Sequence, residues 1–233
     1  MSISAQLITV RRVIAESCHS AGRDPGSVRL LAVSKTFGAD AVIEAADAGQ
    51  IAFGENYLQE AVNKIADVQQ QRPDLQLEWH FIGPLQSNKT RPVAEHFSWV
   101  HAVDREKIAQ RLSDQRPEHL PPLNICLQVN VSGEASKSGV SPQELPALAR
   151  AVSQLPNIQL RGLMAIPEPE TDPARQRAPF VLLRELQQQL AEMGIPTDTL
   201  SMGMSGDMQS AIAEGSTMVR IGTAIFGKRD YAN

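Results

Sequence analysis

Eight short apolar runs punctuate this chain, and each of the first seven is followed by a stretch with helical periodicity. The runs fall at residues 30–35, 51–54, 79–83, 99–103, 123–131, 160–166, 200–204 and 219–222. The helical patterns fall near 39–48, 56–70, 86–96, 104–115, 142–154, 174–193 and 207–214. Gly49, Gly194 and Gly215 stand where a helix-ending glycine is expected. One more amphipathic helix is expected over residues 3–21, where Ile3, Leu7, Val10, Ile14 and Cys18 recur at three- and four-residue steps; Gly22 and the turn Asp24-Pro25-Gly26 follow it. Strands that alternate with helices form a parallel sheet. Eight such strands closed on themselves give a (β/α)8 TIM barrel, and 233 residues is close to the usual size. Only a short tail, residues 224–233, follows the last run, so the N-terminal helix is expected to take the eighth helical place. A doubly wound open sheet is the competing fold, and it is weakened by the absence of G-x-G-x-x-G after the first run. The proline-bearing stretch 167–179 reads as a loop and not a boundary, so residues 1–233 are expected to form a single barrel domain.

Composition narrows the function classes. The formal net charge is −4, which argues against the basic stripe of a nucleic-acid-binding protein. The two cysteines, Cys18 and Cys126, define no disulfide framework, and a reducing compartment is expected. The N-terminus lacks the basic and apolar regions of a leader, and no run reaches membrane-span length. The expectation is a cytoplasmic protein.

In a TIM barrel the active site lies at the C-terminal ends of the strands. Of the six lysines, only Lys35 directly closes a strongly apolar run. Partial desolvation there would lower an ammonium pKa from about 10.4 and make the amine a better nucleophile, which suits Schiff-base chemistry. A lysine that snorkels from a strand end would look the same. The last two strands lead into Ser201-Met202-Gly203-Met204-Ser205-Gly206-Asp207 and Arg220-Ile221-Gly222-Thr223. Ser205 or Asp207 is a candidate N-cap, and Gly206 permits close approach to the backbone. Loops after strands seven and eight are the recurrent phosphate site of this fold, so their order favours a phosphate ligand. Arg220 alternates with Val219 and Ile221; if those face the helices, it points into the barrel and needs a carboxylate or a ligand as partner. Asn56, after the second strand, is a ligand contact or a helix cap. His80 reads as a satisfied core residue and Lys137 as a solvated loop lysine, with a second ligand contact as its alternative. The histidines show no metal-binding spacing.

Ala32-Val33-Ser34-Lys35-Thr36, Phe53-Gly54-Glu55-Asn56-Tyr57, the segment from His80 to Lys89, Gly162-Leu163-Met164-Ala165-Ile166-Pro167, Ser201 to Met208 and Val219 to Gly227 together resemble the YggS/PROSC family of pyridoxal phosphate homeostasis proteins. The resemblance covers about residue 28 to the C-terminus. It implies a barrel like the N-terminal domain of alanine racemase without the second domain of that enzyme. It further implies pyridoxal 5′-phosphate (PLP) held as a Schiff base on Lys35. Arg220 would face the pyridine nitrogen, with Ser205, Gly222 and Thr223 near the phosphate and Asn56, Met164 and Ser201 lining the cofactor. The family is associated with PLP supply and has no established catalytic reaction.

Binding without turnover is the expectation. An arginine keeps its proton and does not protonate the ring nitrogen, which weakens the ring as an electron sink. A two-base racemase also needs a second base, and the chain has only Tyr57 and Tyr231 as tyrosines. A monomeric carrier or buffer is therefore expected, with PLP, related B6 vitamers and PLP-dependent apo-enzymes as its partners. The alternatives are a PLP-dependent racemase or lyase with Lys35 as base, and a class I aldolase with Lys35 on a sugar-phosphate carbonyl.

Overall fold

The computed structural model describes residues 1–134 and 138–228. Eight parallel strands close into a barrel in chain order. They are β1 (Arg29–Val33), β2 (Ala52–Glu55), β3 (Glu78–Phe81), β4 (Trp99–Val103), β5 (Leu123–Gln128), β6 (Ile158–Met164), β7 (Thr199–Ser201) and β8 (Met218–Ile221). The helices are α1 (Ile3–Ser20), α2 (Ala39–Asp47), α3 (Leu58–Gln71), α4 (Thr90–His96), α5 (Glu106–Gln115), α6 (Leu145–Ser153), α7 (Pro173–Glu192), α8 (Met208–Ala213) and α9 (Thr223–Phe226). This is the expected TIM barrel with its N-terminal helix, and the open-sheet alternative is excluded by the β1–β8 pairing.

The apolar residues divide into two layers. A large cluster, which includes Phe53, Val100, Ile125, Leu163, Val219 and Ile221, fills the space between barrel and helices. A smaller cluster, with Leu31, Trp99, Cys126, Met164 and Met218, fills the barrel interior. Strands buried on both faces need apolar residues at nearly every position, which is why the runs were continuous. α1 is N-capped by Ser2, whose hydroxyl accepts from the Ala5 N–H at 3.2 Å. It packs against α2, α8 and α9 and so takes the eighth helical place.

Differences from the expected boundaries lie mostly at the strand ends. β1 stops at Val33, two residues before Lys35, and β7 stops at Ser201. The backbone leaves the sheet there: Thr36 has φ 70° and Gly203 φ 101°. A β-carbon on Gly203 would come 2.7 Å from that of Ala211, so glycine lets this turn lie against α8. Thr223–Phe226 form the short helix α9, which begins in the loop after β8 and runs into the stretch 224–233 expected as tail. Asp207 takes the N-cap position of α8 but makes no side-chain cap bond; its carboxylate accepts from the Met204 N–H at 2.6 Å and so braces the turn before the helix. Among the described residues, no helix is long and apolar enough to cross a membrane. Lys137 and Tyr231 lie outside the described residues.

Candidate functional site

Parallel strands bring all eight C-terminal ends to one rim, and a cavity of about 390 Å³ opens there. Lys35, Asn56, Ser205, Arg220, Gly222 and Thr223 all line it. Val33, Ile82 and Ile166 supply apolar wall, and Phe37 stacks on Phe226 with ring centroids 5.2 Å apart. Met164 and Ser201 do not line the cavity; both are fully buried in the barrel beneath it. A hollow of similar volume lies between α1 and the starts of β1 and β2. Its polar groups are engaged locally: Arg11 donates to the Ala48 carbonyl and to Gln50, which donates to the carbonyls of Leu30 and Ala52.

The backbone around Lys35 is pinned on both sides. The Ser34 N–H donates to the Gly54 carbonyl at 3.0 Å, and the Ser34 hydroxyl donates to Glu55 at 2.5 Å. The Ser34 carbonyl accepts from the Lys64 ammonium at 2.8 Å, and the Thr36 N–H donates to Glu60 at 2.6 Å. Lys64 closes this network with ion pairs to Glu55 at 2.7 Å and Glu60 at 3.0 Å. Burial pushes the Glu55 carboxyl above its ordinary range, and the Lys64 charge and hydrogen bond act against it. Sequence reasoning missed Glu55 and Lys64 as parts of the site. The signal was present: Lys64 shares a buried stripe of α3 with Ala61 and Val68.

Asn56 follows β2. Gly83 passes so close that a β-carbon there would sit 2.5 Å from the Asn56 carbonyl oxygen, so residue 83 must lack a side chain. The Asn56 side-chain oxygen is buried and has no hydrogen-bond partner. A buried amide oxygen without a donor costs on the order of 1–3 kcal/mol, so this one is suited to a ligand.

Arg220 points into the barrel, as the alternation required, while Val219 and Ile221 face the helices. It is 4 % exposed. Its guanidinium donates to the Ser201 hydroxyl at 2.7 Å and to the Ala165 carbonyl at 2.9 Å. Burial lowers its pKa to about 10, with Asp207 acting the other way, so it remains a cation at neutral pH. Among the described residues no carboxylate pairs with it directly. Two of its donors are used, and Arg220 also faces the cavity.

His80 is buried and satisfied, as expected of a core residue, but its partners are themselves polar and buried. Its Nδ1 lies 2.8 Å from His101 Nε2, and its Nε2 lies 2.7 Å from Glu78. His101 Nδ1 lies 2.7 Å from the Ser201 hydroxyl. The chain of contacts therefore reaches Arg220. Beside the cavity, Gly222 fits under Val33: a β-carbon would come 3.2 Å from the Val33 carbonyl oxygen. Cys18 and Cys126 are both buried and unpaired with each other. No group of three or more metal-ligating side chains occurs among the described residues.

The alanine racemase N-terminal domain family matches residues 17–230. The pyridoxal phosphate homeostasis protein of Pseudomonas aeruginosa is 64% identical over 99% of this chain and 97% of its own length. The protein of the same name from Escherichia coli strain K12 is 56% identical, over 99% and 98% respectively. Among solved structures, PipY of Synechococcus elongatus with PLP bound is 39% identical, with a TM-score of 0.80 over 97% of this chain and 100% of that one. Alanine racemase from Corynebacterium glutamicum shares the fold at 17% identity and a TM-score of 0.70, and the match spans only 60% of that longer chain. With this identity across nearly its whole length, the chain belongs to the pyridoxal phosphate homeostasis protein family, built on the alanine racemase N-terminal barrel.

Proposed function

We infer that this chain binds PLP at the barrel mouth as a Schiff base on Lys35, and that it holds and delivers the cofactor without turning over a substrate. The observation that carries this reading is the convergence of an amine (Lys35), a cation (Arg220) and two hydroxyls (Ser205, Thr223) on one cavity. PipY, at 39% identity, was solved with PLP bound. The orphaned Asn56 oxygen tests the fit independently: a polar atom left without a partner in the cavity wall suits a ligand that brings a donor. The residues present therefore fit the cofactor.

Each residue has a role in this reading. Lys35 would supply the amine that condenses with the aldehyde of the cofactor, with release of water. Ser205 and Thr223, with the backbone at Gly206 and Gly222, hold the phosphate in the loops that this fold commonly uses for it. Arg220 meets the ring nitrogen. Ser201 positions Arg220 from beneath, and Met164 belongs to the apolar floor. When bound, the cofactor supplies an electron-withdrawing ring, and Arg220 leaves that ring nitrogen unprotonated because it is a cation that retains its own proton.

The reading of storage over catalysis draws on two observations. Tyr57 is 51% exposed and does not line the cavity, so the described residues place no tyrosine base there. The relatives are named homeostasis proteins. Delivery to PLP-dependent apo-enzymes by a monomer in the cytoplasm completes the reading. With the loaded protein in D₂O, alanine is expected to keep its α-proton, and an apo-enzyme is expected to be reactivated. Deuterium uptake at catalytic rates would favour the racemase reading instead.

The phosphate assignment gives a separate prediction. Ser205→Ala combined with Thr223→Ala should weaken PLP binding by at least about tenfold, the effect of losing hydrogen bonds to a charged group. Affinity for pyridoxal, which has no phosphate, should change little. Fluorescence titration with both ligands measures the contrast.

A further inference from the structure

The interior of a TIM barrel is usually filled by branched aliphatic side chains. Here a line of polar groups crosses it, from Glu78 on β3 through His80, His101 on β4 and Ser201 on β7 to Arg220 on β8. The four contacts measure 2.7, 2.8, 2.7 and 2.7 Å in that order. His80, His101 and Ser201 are fully buried.

We propose that Glu78, His80, His101 and Ser201 form a one-way hydrogen-bond relay that positions Arg220 for the cofactor from the other end of the line. The proposal rests on the reading of Arg220 as the partner of the ring nitrogen.

The direction follows from donor and acceptor counting. Glu78 accepts from Arg29 at 2.7 Å as well as facing His80. Burial raises its pKa, but the hydrogen bonds from His80 and Arg29 and the Arg29 cation act against this and keep it a carboxylate. A carboxylate is acceptor-only, so His80 Nε2 must carry a hydrogen. Burial holds His80 below the ordinary imidazole range despite Glu78, and burial, with the Arg220 and Arg29 cations beside it, holds His101 well below it. Both rings are then neutral. His80 Nδ1 is an acceptor, so His101 Nε2 is the donor and His101 Nδ1 an acceptor. The Ser201 hydroxyl must donate to that nitrogen, which commits its lone pairs to Arg220. Every hydrogen points toward Glu78, and the line joins a buried cation to a carboxylate that lies near solvent.

The other charged or titratable groups about the line are Arg29 from β1, Arg161 from β6 over the Trp99 ring at 4.7 Å, Cys126 from β5 and Asp207 beyond Arg220. Trp99 stacks on His80 at 5.2 Å and shields it. None of these offers the line an alternative acceptor in the hydrogen bonds present.

Glu78→Gln tests the relay because an amide can donate or accept at His80 Nε2, which releases the direction of the whole line. Glu78 is partly exposed, so the substitution leaves the core intact. Nitrogen-15 NMR of the imidazoles, on the full chain freed of cofactor, should show both buried histidines as Nε2–H tautomers in the wild type. It should show a tautomer mixture at His101 in Glu78→Gln and the wild-type pattern in Glu78→Asp. PLP affinity should fall about fivefold to tenfold in Glu78→Gln and be largely restored in Glu78→Asp, the range for weakening one charge-assisted hydrogen bond. An Nδ1–H tautomer at wild-type His101, or a Glu78→Gln spectrum identical to wild type, would overturn the relay. Mixed tautomers with unchanged PLP affinity would overturn its positioning role. Failure of the wild type to take up PLP would defeat the cofactor reading, and with it the relay's purpose, while the tautomers would still report whether the line exists.

Discussion

Lys35→Ala is expected to emerge from gel filtration without cofactor, whereas the wild type carries a near-visible absorption band. Sodium borohydride should bleach that band in the wild type by adding hydride to the imine carbon, which leaves the cofactor fixed as a secondary amine, and mass spectrometry should find the added phosphopyridoxyl mass on the peptide that contains Lys35. Lys35→Arg should behave like Lys35→Ala, because a guanidinium keeps the positive charge but does not condense with an aldehyde. The remaining contacts at Asn56, Arg220, Ser205 and Thr223 still offer a weak non-covalent site. A loss on the order of a hundredfold in apparent affinity, about 2.7 kcal/mol, is therefore expected rather than complete loss. Circular dichroism should show the barrel intact, since Lys35 lies beyond the end of β1. A wild type that stays colourless with added PLP would remove the central reading and favour a sugar-phosphate Schiff base. A reduced adduct on Lys64 or Lys89 instead of Lys35 would keep the cofactor and move its anchor.

The fold was legible because a closed parallel barrel repeats one demand eight times, and every strand answered it with a buried apolar run. The rim residues were legible for a related reason. Lys35 and Arg220 each place charge against apolar neighbours, a conflict that local preference alone does not explain. The interior line was not legible. His101 and Ser201 are 100 positions apart, and each sits in a strand whose apolar neighbours hide it. Only barrel closure brings β4 across from β7. The strand ends were misjudged because Lys35 and Met204 continue apolar runs beyond the last ladder bond; sequence shows polarity, whereas the departure of Thr36 and Gly203 into positive φ is a backbone event. α9 was hidden by its length, because four residues carry too little periodicity to distinguish a helix from a tail.

Lys64→Met carries the largest expected stability effect, and it tests whether the support beneath Lys35 matters. Lys64 is 4% exposed and Glu55 fully buried, so the substitution leaves a buried carboxylate without its cation. Breaking a buried pair from one side costs roughly 3–5 kcal/mol. The Glu55 carboxylate retains only the Ser34 hydroxyl as a hydrogen-bond donor, and its second oxygen already has no partner. The Ser34 carbonyl also loses its donor, so PLP affinity should fall together with stability. The pH response gives the cause. Burial already raises Glu55 above its ordinary 4.5, and loss of Lys64 removes the main opposing influence. A carboxyl with a raised folded-state pKa binds its proton more tightly in the native state, so its contribution favours folding at low pH and declines as pH rises through the interval between the unfolded and folded values. The deficit of Lys64→Met relative to wild type should therefore be greatest near neutral pH and shrink toward about pH 5 in urea unfolding. Adding Glu55→Gln to Lys64→Met should recover part of the loss at neutral pH and flatten the pH dependence, because no buried charge then remains to be compensated. A deficit that stays constant with pH would instead locate the cost in lost packing of the lysine stem on α3.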